Sequence, residues 1–470
     1  MSKKSISDKK EVKAHPSTRS KFFPISVVIL IISIVIYILL SVGHFTSLQC
    51  RLLRIGCLNT KVQGYVAPEF IDVEKTFIKN FENGYEVGAN VAAYYNGKLV
   101  VDLHGGYADL ETMREYDNNT LQFVFSSTKV MSSIVIAYLV DRGILDYNEK
   151  ISTYWPEFAQ GNKENVTLLD LVNHRAGVNY LDNMSDSDFE DLDKLAKVLA
   201  AQPHSFDGVP NRAYHAVTRG WYLNEVVRRV DPKHRTIGKI VSEEILTQYD
   251  LEFYISLPPS HISRVAKFYK PKSWNIKRVF NMLEALWNKK MSTSDVWELI
   301  TDKRKMSKIF AIPGISDLAD AIKLESITKE HPSVNGITNA KSIAKMGAMI
   351  VNNGQPLNTD SSKPFLSKST VDFISTKLPV AFDHVILANF TPAAGGFAYF
   401  RLPEIEDVEF LGWGGYGGSL FLWNRELGIS FGYVMNGLWA PVHGEIADKR
   451  GWSLLIDVVN AVKKLKKMQA

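Results

Sequence analysis

The chain is 470 residues long, 46% hydrophobic and 22% charged, a composition that allows a large buried core and excludes disordered and fibrous classes. Its net charge of +5 resides in residues 1–21, where seven Lys or Arg stand against Asp8 and Glu11; the remainder sums to zero, so no nucleic-acid partner is indicated. Cys50 and Cys57 are the only cysteines, which excludes a cysteine-built metal site or catalytic thiol from the body.

In chain order, the basic arm 1–21 leads into an apolar run, Phe22 to Leu40, and no Asp, Glu, Lys or Arg occurs from Phe22 to Gln49. That length matches a bilayer core and predicts a transmembrane signal anchor over 22–42. The arm would be cytoplasmic and the body luminal or extracellular. The rival is a signal peptide cleaved near Ser41-Val42-Gly43, giving a secreted body; a mitochondrial presequence fits poorly with Asp8, Glu11 and so apolar a run. Residues 43–64 read as a linker in which Cys50 and Cys57 form a disulfide or remain two thiols. Sequons at Asn118, Asn165, Asn183 and Asn389 accord with a luminal body.

Val91 to Leu103 predicts two strands joined by an Asn96-Gly97 type I′ turn. A helix is expected from Ser126 to Arg142, stopped by Gly143, and others at Thr167–Asn173, Gly220–Val230, Ile237–Gln248 and Ala340–Asn352. Strands return at Glu409–Trp413, Ser419–Trp423 and Ile429–Met435, and a last amphipathic helix covers Ser453–Leu465. Its closing lysines, Lys463, Lys464, Lys466 and Lys467, suit a helix C-terminus. Residues 258–312 read as an insertion: a lid, a membrane-facing cap or a plain surface helical pair. Strands at both ends with helices between imply an α+β fold: a mainly antiparallel sheet built from both chain ends, flanked by helices, with a helical lobe.

The chemistry concentrates at Ser126-Ser127-Thr128-Lys129. Residues i and i+3 share a helix face, so the Lys129 amine can reach the Ser126 hydroxyl and activate it for acyl transfer. The alternative is that Ser126 or Ser127 is a helix N-cap. Tyr214, in a loop ahead of a helix, offers a second proton relay if nearby cations lower its pKa; otherwise it is a packed aromatic. Gly412-Trp413-Gly414-Gly415-Tyr416-Gly417-Gly418 lets backbone amides approach a ligand. It also satisfies G-x-G-x-x-G, but a strand pattern follows it, so no helix N-terminus awaits a pyrophosphate.

Ser126-x-x-Lys129, Tyr214-His-Ala216 and Trp413-Gly-Gly415, in this order and spacing, resemble the serine β-lactamase and penicillin-binding-protein superfamily. The class C-like branch, with family VIII carboxylesterases and the β-lactamase-domain proteins of animals, is the most similar. Val140–Asp146, Tyr154–Phe158, Leu171–Gly177, Asn335–Ala340 and Phe431–Asn436 extend the resemblance over about residues 65–460. It implies a β-lactamase/transpeptidase-like domain over 65–465, with Ser126 as acylated nucleophile, Lys129 as base or shuttle and Tyr214 as second relay. The amides of Ser126 and Tyr416 would form the oxyanion hole, with Gly414, Gly415 and Trp413 on the substrate side. Ala216 stands where lactamases carry Asn, and Trp413 where they carry Lys. Both lost groups would help bind a carboxylate, so the resemblance implies a carboxylesterase-like hydrolase of small-molecule esters or amides, without metal or cofactor. A non-catalytic scaffold and a β-lactamase or D-peptidase-type amide hydrolase are the alternatives.

Overall fold

In the computed structural model, the described residues are 45–182, 185–271, 308–312, 320–357, 363–402, 404–439 and 448–469, with five positions between 27 and 33. The expected anchor at 22–42, most of 258–312 and Asn183 lie outside them. Among the described residues no helix is long and apolar enough to cross a membrane.

Asn96 and Gly97 both take positive φ, 47° and 76°, as a type I′ turn requires. They join β2 (Gly88–Tyr95) to β3 (Lys98–Asp109), and β1 (Val62–Val66), which begins in the last residues of the expected linker, adds to the free side of β3. The two-residue β4 (Arg114–Glu115) also pairs β3. From the other end of the chain come β8 (Ala381–Asp383), β9 (Ala388–Pro392), β10 (Ala398–Leu402), β11 (Ile405–Gly414), β12 (Leu420–Asn424) and β13 (Ile429–Met435). The sheet order is β1-β3-β2-β13-β12-β11-β10-β9-β8, antiparallel throughout. The two ends of the chain meet where β13 pairs β2 from Ile429↔Tyr95 to Met435↔Ala89. A second small sheet joins β5 (Gln122–Phe123), β7 (Ile337–Thr338) and β6 (Phe253–Tyr254).

Alternation along β13 assigns the layers. A Cβ at Gly432 would lie 2.4 Å from the Ala340 carbonyl, so α4 (Ala340–Val351) presses on this face. On the opposite face Tyr433 meets Gly451 of α5 (Lys449–Gln469), which is tied to α1 (Ile71–Glu82) by Thr76 Oγ1 donating to Asp457 at 2.5 Å. The helical lobe is centred on α2 (Thr128–Asp141) and α3 (Thr218–Val230). Residues 128–139 of α2 are all buried, as an apolar-all-round helix should be, and each of Ile134, Val135, Ile136 and Leu139 contributes about 1.5–3 kcal/mol by burial.

Several expectations are refined. The helix expected from Ser126 is a 3₁₀ turn, Phe125–Ser127, running into α2. The helix expected at Ile237–Gln248 is α-helical at both ends with a π segment, Val241–Leu246, between. Cys50 and Cys57 form a disulfide. The strands β8 to β10 and helix α1 are elements beyond those expected from the sequence.

One buried charge cluster fixes α5 to the rest. Arg450 donates to Glu86 at 2.8 Å, to Asp448 and to the Gly417 carbonyl at 3.2 Å, and Tyr433 donates to Glu86 at 2.5 Å. Removing the guanidinium leaves two carboxylates buried and unpaired. Arg450→Met is therefore expected to lower unfolding free energy by about 3–5 kcal/mol, measured by urea denaturation; a loss under about 1 kcal/mol would refute this account.

Candidate active site

The start of α2 is built by a short circuit of hydrogen bonds. Val124 N donates to the Gly336 carbonyl at 2.8 Å, Gly336 N to Thr128 Oγ1 at 2.7 Å, and Thr128 Oγ1 to the Phe125 carbonyl at 2.5 Å. Phe125 is held at φ 46°, a left-handed conformation that costs a side-chain-bearing residue about 1–2 kcal/mol. Its ring packs on Phe123, Phe268 and Tyr416 at 4.9, 5.1 and 5.4 Å, which offsets the strain and fixes the turn that carries Ser126. Neither serine caps the helix: no side chain bonds the cap amides, and Ser127 Oγ lies 3.0 Å from Ser419 Oγ.

Ser126, Lys129 and Tyr214 converge. Lys129 Nζ is 3.3 Å from Ser126 Oγ and donates to the carbonyls of Ala216 at 2.6 Å and Ser333 at 3.0 Å. The side chain is buried, with the whole residue only 2% exposed. Burial first, and the Arg219 guanidinium second, hold its pKa well below the ordinary lysine range. A neutral amine has two N–H donors and one lone pair. The two carbonyls use the donors, which leaves the lone pair for the Ser126 hydroxyl proton.

Tyr214 Oη lies 2.6 Å from Ser126 Oγ, and its ring is 4.8 Å beneath the Lys129 amine. Its backbone is fixed by Asp383, which accepts from Tyr214 N and from Arg212 Nε, both at 3.0 Å. Arg212 Nη1 also donates to the Asn173 carbonyl at 3.1 Å. The expectation that cations lower the tyrosine's pKa is corrected: burial dominates and pushes it up to about 12, against smaller lowering effects from the Ser126 hydrogen bond, Trp413 and Arg219. The phenol therefore stays protonated and donates to Ser126.

Trp413 is 4% exposed, stacks on Tyr214 at 5.7 Å and on Phe390 at 5.9 Å, and touches His174. It backs the tyrosine from the place where lactamases carry a cation. Ala216 contributes its carbonyl to Lys129 and presents only a methyl group. Gly414 ends β11 opposite Leu420. A Cβ at Gly415 would fall 2.2 Å from the Val124 carbonyl and from Ser419 Oγ, so only glycine lets this turn close on the Ser126 segment. Ser419 Oγ donates to the Val124 carbonyl at 2.9 Å, and the exposed Tyr416 ring lies edge-on to Phe125. β12 follows the turn, so the glycine pattern opens no helix.

Asp383, Arg212, Ser333 and Arg219 were not singled out from the sequence. Asp383 lies 171 residues from its Arg212 partner, and a supporting carbonyl such as Ser333's carries no residue-type signal.

The Beta-lactamase family profile matches residues 75–453. The chain is 28% identical over 390 residues to the Esterase/beta-lactamase LipL of Mycobacterium tuberculosis, covering 81% of this chain and 84% of LipL. A penicillin-binding-protein homologue from Caulobacter crescentus superposes with a TM-score of 0.71 at 27% identity, over 85% of this chain and 100% of the other. A family VIII carboxylesterase superposes with a TM-score of 0.68 at 29% identity, over 85% and 100% of the two chains. With the match spanning most of its length, the protein belongs to the Beta-lactamase family and is a serine-hydrolase-type enzyme among esterase and penicillin-binding-protein relatives.

Proposed function

We propose that the protein hydrolyses small-molecule carboxylic esters through an acyl-enzyme on Ser126. The observation that carries this is the convergence on Ser126 Oγ of Lys129 Nζ at 3.3 Å and Tyr214 Oη at 2.6 Å, the geometry in which a neutral amine takes the hydroxyl proton while the phenol donates. Lys129 takes the hydroxyl proton as Oγ bonds the ester carbonyl carbon. The carbonyl oxygen becomes an oxyanion held by the amides of Ser126 and Tyr416. As the carbon–oxygen bond breaks, Tyr214 protonates the departing alkoxide, and the proton that Lys129 took from Ser126 passes to the phenolate oxygen, since Oγ, now in the acyl bond, carries none. A phenol near 12 is a stronger acid than an alcohol, whose pKa is close to the roughly 15.7 of water, so the transfer is downhill. Water then repeats the steps in reverse to release the acid.

Ester is favoured over lactam by Ala216 and Trp413, which remove an amide and a cation suited to a carboxylate, and by the esterase relatives. We further propose that residues 22–42 anchor the chain in a membrane, with the arm 1–21 cytoplasmic and the hydrolase domain 65–465 luminal or extracellular. The Cys50–Cys57 disulfide suits an oxidising compartment, and the sequons Asn118, Asn165 and Asn389 are exposed.

Four outcomes are expected. Wild-type protein labels with a fluorophosphonate and turns over a chromogenic short-chain ester faster than a chromogenic cephalosporin; Ser126→Ala abolishes both labelling and turnover, and labelling that survives the substitution sinks the mechanism. Lys129→Met and Tyr214→Phe each lower kcat/KM by about 10²- to 10⁴-fold. In wild type kcat/KM falls as pH drops through the lowered Lys129 pKa, an acid limb well below the ordinary lysine value near 10.4; a limb at that ordinary value would show the lysine is charged. In expressing cells, glycosidase treatment shifts the protein, and the shift shrinks in Asn118→Gln and Asn389→Gln; insensitivity argues against a luminal body.

A further inference from the structure

Arg219 lies on α3, five residues beyond Tyr214, and is fully buried. A buried guanidinium ordinarily sits against a carboxylate, as Arg212 does against Asp383 at 3.0 Å. Among the described residues Arg219 has no such partner. Its Nη1 donates to the Lys129 carbonyl at 3.4 Å and its Nη2 to Ser133 Oγ at 2.5 Å, while Nε has no hydrogen-bond partner. Both contacts are on α2, one turn apart, at and just beyond the lysine itself.

The surrounding chain makes room for this cation without neutralising it. Gly396, at φ 81° between β9 and β10, has no side chain; a Cβ there would lie 2.6 Å from Nη2 and 2.7 Å from the Val172 carbonyl. Any other residue would push the guanidinium away from α2. The space is kept for a charge that forms no ion pair, which costs stability and calls for a compensating role.

We propose that Arg219 is a positioning residue acting through its charge: an unpaired guanidinium beside α2 keeps Lys129 in the amine form that accepts the Ser126 proton. This rests on the acyl-enzyme reading above. The other groups around Lys129 do not oppose it. From the 212–217 loop come Tyr214, a protonated phenol, and Arg212, offset by Asp383 of β8. His174 and His215 are held uncharged by burial, their pKa values well below the ordinary histidine range. The 332–336 segment offers carbonyls and hydroxyls, and Tyr147, near Arg219, is pushed well above its usual range and stays neutral. Among the described residues the one charge that bears on the amine is Arg219, and it disfavours a second positive charge.

The test is the pH dependence of fluorophosphonate labelling and of kcat/KM for a short-chain ester, in wild type, Arg219→Met and Arg219→Lys. Without the neighbouring cation Lys129 binds its proton more tightly and loses its base form at a higher pH. The acid limb of Arg219→Met is therefore expected to move up by about one pH unit or more, with rates converging on wild type at alkaline pH. Arg219→Lys, which restores the charge, keeps the limb near the wild-type position. A rate lowered by one factor at every pH, or a limb displaced equally by Met and Lys, means Arg219 only packs and overturns the proposal. Should Arg219→Met show no cooperative melting, Arg219→Gln, which retains donors for the Lys129 carbonyl and Ser133, reads the same limb. A wild type that neither labels nor turns over ester overturns the acyl-enzyme reading; a wild type that labels, with an unmoved limb in the variant, overturns this proposal alone.

Discussion

An amine buried with no counter-ion among the described residues is the constraint around which the rest is arranged. Charging an isolated ammonium in a dry interior costs several kcal/mol even after relaxation, so Lys129 is held as a base by its surroundings. Each surrounding element serves that condition. The apolar length of α2 removes water, the carbonyls of Ala216 and Ser333 accept both amine protons, and Tyr214 and His174 face the site uncharged. A single carboxylate within contact distance would return the proton to Lys129 and leave Ser126 an ordinary hydroxyl.

That arrangement depends on the two ends of the chain meeting. Ser126 and Lys129 follow the first hairpin, while the glycine turn Gly414–Ser419 belongs to strands laid down almost three hundred residues later. The β13–β2 pairing brings the two halves into one sheet. Arg450 then ties α5 to the carbonyl of Gly417, so a helix on the far face of the sheet helps set the turn that closes on the Ser126 segment. The aromatic stack of Tyr214, Trp413 and Phe390 joins this part of the sheet to the helical lobe.

What could be read in the sequence was what is local or shared with a family. Asn96-Gly97 announces its turn because only residues tolerant of positive φ fit there, and Ser126 with Lys129 is a one-turn relation. Tyr214 and Trp413 became legible through the order of three motifs, since neither stands out alone. The missing parts are long-range or negative. Arg212 looks like a free cation until Asp383 is placed beside it, and the burial that raises the Tyr214 pKa comes from packing that the segment around it does not display. Arg219 matters through the absence of a partner, and no sequence displays an absence. The strands β8 to β10 are three to five residues each and, unlike the equally short β12, carry no apolar run to declare them.

The sheet order also sets where the tyrosine's support is most exposed to loss. Asp383 ends β8, a three-residue strand at the outer edge of the sheet, yet its carboxylate holds the backbone of Tyr214 and the side chain of Arg212. Local opening of a short peripheral segment takes less free energy than global unfolding. Fraying there would release Tyr214 while Ser126 and Lys129, seated on α2 in the core, stayed in place. The protein would then keep its secondary structure and Ser126 could still add to the ester carbonyl, but the adduct would expel its alcohol slowly and the acyl-enzyme would form slowly, so warming would dim turnover before it melted the fold.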